Sequence, residues 1–124
     1  MKAYRFLIVV VLCILTTKAF AADEHKPRHG GVLVEVKEIQ YELVAKPDMI
    51  VLYVEDHGKL IDTKGATAKL TLLSGKEKSE VMLVPAGGNK LEAKGSFAVA
   101  AGTKAVAIVT LAGKPPATVR FAVK

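Results

Sequence analysis

The chain has 124 residues, 51% of them hydrophobic, a formal charge of +6, a single cysteine and no tryptophan. With one cysteine no internal disulfide can form. The basic residues are dispersed rather than clustered and aromatic residues are few, which argues against a nucleic-acid surface.

Lys2 and Arg5 precede the apolar run Phe6–Leu15 (FLIVVVLCIL), which has the length of a signal-peptide core and is short for a bilayer span. Ala19-Phe20-Ala21 supplies the small-x-small pattern read by signal peptidase, so cleavage is expected after Ala21. Leu12 before Cys13 argues against a lipid anchor, and an uncleaved leader acting as a membrane anchor is the alternative. Residues 1–21 are thus read as signal peptide, 22–30 as a flexible lead-in and 31–124 as one domain. Lys2, Arg5 and Lys18 leave with the leader, so 15 basic residues face 12 acidic ones, a net charge of +3. A periplasmic product without stable membrane insertion or nucleic-acid partner is expected.

From Gly31 onward the pattern is that of strands. Val32, Val34 and Val36 alternate with Leu33, Glu35 and Lys37. Gln40–Ala45 sets Tyr41 and Leu43 on one side, Gln40 and Glu42 on the other. After the turn Lys46-Pro47-Asp48, Met49–Glu55 is apolar on both faces, as a strand covered by a second sheet would be. Asp56-His57-Gly58-Lys59 is a turn. Thr67–Leu73, Ser74-Gly75, the polar link Lys76-Glu77-Lys78 and Glu80–Val84 read as a hairpin. Lys90–Ala93, Lys104–Leu111 and Thr118–Val123 are further strands, divided by Gly95 and by Gly113-Lys114-Pro115-Pro116. The alanines between Ala86 and Ala107 leave a helical turn near Ser96–Ala101 as an alternative. The fold class is all-β, an immunoglobulin-like antiparallel sandwich of seven to eight short strands.

The chemistry-bearing residues are few. There is no HExxH, no phosphate-binding glycine loop and no GxSxG, and Glu55-Asp56 would point to opposite faces of a strand, so catalysis is not expected. His25 and His29 lie four apart with Asp23 and Glu24 just upstream, a mixed imidazole and carboxylate set that suits Cu(II), Ni(II) or zinc. Pro27 and Gly30-Gly31 disfavour a helix there, so a flexible segment would have to order on binding. Cleavage after Ala22 instead would make His25 the third residue, where amine, amides and imidazole enclose Cu(II) or Ni(II); Phe20 in the recognition site argues against it. His57, in its turn, is a weaker ligand candidate. Met49 and Met82, in apolar strands, read as core rather than Cu(I) donors.

His29-Gly30-Gly31, Tyr41-Glu42-Leu43-Val44, Leu52-Tyr53-Val54-Glu55-Asp56, Leu72-Leu73-Ser74-Gly75 and Leu83-Val84-Pro85-Ala86-Gly87 together resemble a small periplasmic domain associated with heavy-metal resistance. Ala101–Ala105 and Arg120-Phe121 continue the likeness over nearly the whole chain past the leader. Such domains occur alone or fused to periplasmic adaptor subunits of resistance-nodulation-division metal efflux pumps. The resemblance implies copper, silver or zinc-cobalt-cadmium handling, with His29 the residue that carries over best. It also implies a histidine-rich lead-in, where this chain offers only His25, and a small or acidic residue where it has His57. The expected ligand set is His29, His25, Glu24 and His57, for copper or zinc, with an efflux adaptor or other envelope protein as partner. The competing expectation is an interaction domain that docks on an envelope protein without metal.

Overall fold

The computed structural model describes residues 26–124. Nine strands follow in order: β1 (Val32–Val36), β2 (Ile39–Ala45), β3 (Met49–Asp56), β4 (Lys59–Leu60), β5 (Thr67–Ser74), β6 (Glu77–Pro85), β7 (Lys90–Lys94), β8 (Lys104–Thr110) and β9 (Ala117–Ala122). No helix occurs among the described residues, so the alanines of 96–101 form irregular chain and a turn.

The period-two pattern explains the elements. In β5, Ala68, Leu70 and Leu72 are buried while Thr67 and Lys69 are exposed, and β8 and β9 alternate in the same way. The inward residues form one core, with Tyr41, Leu43, Ile50, Leu52, Leu70 and Leu83 among its largest members. Burying each such side chain stabilises the fold by about 2 kcal/mol, against the entropy of ordering the chain.

All pairings are antiparallel, and one path of ladders runs β1-β2-β3-β7-β6-β5-β8-β9, with β4 attached to β3. β6 makes this continuity. Its residues from Glu77 to Leu83 pair with β5, and its last two, Val84 and Pro85, pair with β7. The two ends of the path, β1 and β9, then lie side by side without a ladder, so the sheet is nearly closed and barrel-like. The all-β, antiparallel expectation holds, but the molecule is not divided into two clearly separate layers.

Two local differences from the sequence reading have simple causes. Glu77, Lys78 and Ser79 belong to β6 because the turn is only Gly75-Lys76, which sets Ser74 opposite Glu77. The turn at His57-Gly58 is as tight, and it lets Lys59 and Leu60 pair back on β3.

Candidate functional site

The stretch Arg28-His29-Gly30-Gly31 is laid across the outer face of β2. Gly30 takes φ +75°, a left-handed value that glycine adopts freely. Gly31 passes so close to β2 that a Cβ there would stand 2.3 Å from the Leu43 carbonyl oxygen. Two glycines thus permit the approach, one by its dihedral and one by its lack of a side chain.

Beneath the segment is Glu42, only 4% exposed although it sits on the polar side of β2. Its register neighbours are Leu33 on β1 and Tyr53 on β3. The carboxylate is satisfied by the segment above it. Oε1 accepts from the Arg28 N–H at 3.0 Å, and Oε2 accepts from the N–H groups of His29 at 2.8 Å and Gly31 at 2.9 Å. The His29 ring adds a fourth bond, Nδ1 to Oε1 at 2.9 Å. Burial pushes the Glu42 carboxyl up, but the His29 ring and the three backbone donors outweigh it and hold the group below its ordinary value.

An ionised carboxylate only accepts, so Nδ1 of His29 is the donor in that bond. In the neutral ring this leaves the lone pair on Nε2, on the opposite edge. The ring is also fixed in plane, stacked on Tyr53 with centroids 3.6 Å apart and planes 2° from parallel. Its side chain remains 40% exposed. Arg28 Nε pairs with Glu55 Oε2 at 3.3 Å. On its other side His29 borders a groove of about 190 Å³ that also involves Gly31, Leu43, Lys46 and Val123.

His57 lies on the same half of the sheet, at the β3–β4 turn, with φ 48°. That strained conformation is held by its own N–H, which donates to the Oε1 of buried Gln40 at 2.6 Å. Its Nδ1 meets Asp56 Oδ1 at 2.8 Å, and its Nε2 is 3.6 Å from Glu35 Oε1. The bond to Asp56 is the main cause that raises the His57 imidazole above its ordinary value; desolvation opposes it, and Asp56, Glu35 and Glu38 add through their charge. Arg28 bridges toward this turn, with Nη2 3.7 Å from where a Gly58 Cβ would stand.

Of the four expected ligands, His29 and His57 are in view, whereas Glu24 and His25 lie outside the described residues. The two histidines do not share a cluster: among the described residues no group of three or more His, Cys, Asp or Glu side chains is arranged to hold a metal ion. Each instead has its own carboxylate. Met82, expected in the core, stands on the exposed outer face of β6, and Met49 is partly buried.

Glu42, Tyr53, Arg28 and Gln40 were not expected at the site. The outer face of Tyr53 is covered by His29 and not by a second sheet. The available signal was the run Gln40–Leu43, in which polar and apolar residues alternate beside a strand apolar on both faces. A covered β3 implies cover for its neighbour β2 as well. No protein-family model, curated protein or solved structure matches the chain.

Proposed function

We propose that this is a periplasmic metal-binding or metal-delivery protein linked to heavy-metal resistance and efflux, with His29 as the ligand that the fold positions. One observation carries the reading: the buried Glu42 carboxylate accepts a hydrogen bond from Nδ1–H of His29 and so leaves the Nε2 lone pair available to a metal ion. A carboxylate behind a ligating histidine fixes the tautomer and ring plane and raises the donor's basicity. The acid and histidine of the sequence just upstream, Glu24 and His25, are the natural further donors, and imidazole with carboxylate suits copper or zinc. His57 with Asp56 is a separate, second candidate. The leader and the resemblance to efflux-associated domains support export and an efflux adaptor as the partner that takes or gives the ion. No catalytic role is proposed.

A second reading has its own support. Met82, Val84 and Ile108 are exposed on outer strand faces, and exposed apolar side chains suit a domain that docks on an envelope protein without metal.

Titration of the processed protein with Cu(II) and Zn(II) separates the two. The metal reading expects stoichiometric binding that His25→Ala with His29→Ala abolishes and that Glu42→Gln weakens by about tenfold or more. Undiminished binding in the double variant places the site elsewhere, and no binding at micromolar metal favours docking.

A further inference from the structure

A second recessed site lies at the end of the barrel formed by the β1–β2 hairpin and the loop between β8 and β9, on the inner side of β2. It is a cavity of about 280 Å³. Val36, Ile39, Val109, Leu111, Pro115 and Pro116 make the apolar part of its wall, and polar and charged groups make the rest. Tyr41 also lines it. That side chain is 2% exposed, and its hydroxyl makes no hydrogen bond to any described residue. Yet Thr103 Oγ1 is the side-chain polar atom that is both fully enclosed and unpartnered among the described residues. The Tyr41 hydroxyl therefore opens into the cavity, a buried donor directed at whatever fills it. Burial pushes the Tyr41 phenol up, which keeps it protonated and able to donate.

The rim adds charge. Lys37 and Lys114 border the cavity, and neither has an ion-pair partner among the described residues. Asp56, also at the rim, is already bonded to His57, and Glu38 acts on the same imidazole. The hairpin tip that carries Lys37 is strained: Lys37 and Glu38 have φ of 49° and 70°, values that two-residue turns usually fill with Asn-Gly. Non-glycine residues in this region persist where their surroundings hold them, and they concentrate at ligand clamps.

We propose that this barrel mouth binds a small organic acid with a single ring, its carboxylate between Lys37 and Lys114 and an oxygen accepting from the Tyr41 hydroxyl. At about 30 Å³ per water-sized unit the space holds an occupant of roughly ten non-hydrogen atoms. Barrel mouths with apolar walls and a few convergent polar groups are common places for such ligands. Tyr41 and Glu42 are consecutive on β2 and point to opposite faces, so this site shares the strand with His29 but not its surface. The proposal does not rest on metal binding.

Benzoate is the probe. Millimolar benzoate added to the metal-free, isotopically labelled protein is expected to shift the backbone amides of Ile39, Tyr41, Val109 and Ala117. Tyr41→Phe, which keeps the ring and the packing, should weaken that binding about fivefold. Lys37→Gln with Lys114→Gln should weaken it further, and benzyl alcohol, the uncharged analogue, should bind less well than benzoate. Absence of shifts in folded protein, shifts confined to other surfaces, or equal affinity in Tyr41→Phe would overturn the site. Equal binding of benzyl alcohol would overturn the assignment of an acid.

Discussion

The two halves of the sheet treat their outer faces in opposite ways. On β2 the outer face is covered, and what it buries is polar: Gln40 and Glu42 lie beneath the chain from Arg28 to Gly31 and the His57 turn. On β6 and β8 the outer face is open, and it shows apolar side chains among charged ones, with Met82 at 58% exposure near Ile108 across Lys69. Hydropathy alone would assign both faces the other way round. The reason is hydrogen bonding. A carboxylate can be buried when four donors converge on it, whereas a scattered apolar side chain in water leaves no group unsatisfied.

Removing Glu42 breaks this contrast most severely. Glu42→Ala leaves three N–H groups and an imidazole without their acceptor, and the expected loss is about 3 kcal/mol, read by urea denaturation, with fast hydrogen exchange at His29 and Gly31. Gly31→Ala comes next: a methyl group cannot share space with the Leu43 carbonyl, so the segment must lift at a cost of about 2 kcal/mol.

Acid tests the same carboxylate without mutation. The folded-state value of Glu42 lies below its ordinary 4.5, so the unfolded chain takes up the proton first as pH falls. Its contribution is complete above that ordinary value and disappears as pH drops through the lower folded one. Denaturation midpoints of the parent should therefore fall more steeply in this range than those of Glu42→Gln. His57 has the opposite sign. Its value is raised above 6.5, so its contribution is full below that pH and lost as pH rises through the folded value. The effect is small because the ring is exposed, and NMR titration of the imidazole, parent against Asp56→Asn, would show it. The smallest expected change sharpens the comparison from the other half: Met82→Lys should alter stability by no more than about 0.5 kcal/mol. A larger loss would mean that this face is covered after all.

Much of the barrel is legible in the residues. Val32–Val36, Met49–Glu55 and Lys104–Leu111 show their strands through alternation or β-branched runs, and Pro, Gly and Asp mark the breaks. The polar start of β6 was harder to see, because Glu77, Lys78 and Ser79 face solvent and look like a linker until their pairing with β5 is known. The near-closure of the sheet depends on where β6 passes from β5 to β7, which no local pattern encodes. At the candidate site, His29 and the glycines stand out in the sequence. Glu42 does not, because its backbone partners lie between 11 and 14 residues upstream and are amides, which carry no side-chain signature.

The coplanar pair of His29 and Tyr53 also gives the molecule an optical handle. The chain has no tryptophan, and its three tyrosines are Tyr4, Tyr41 and Tyr53. In a chain without residues 1–21, near-ultraviolet emission comes from two phenols, Tyr41 and Tyr53, the second beneath the imidazole. A paramagnetic ion on His29 would quench the second more strongly than the first, and an occupant against Tyr41 would act more strongly on the first. Phenylalanine at either position then assigns the signal, so each surface can be monitored without attaching a dye.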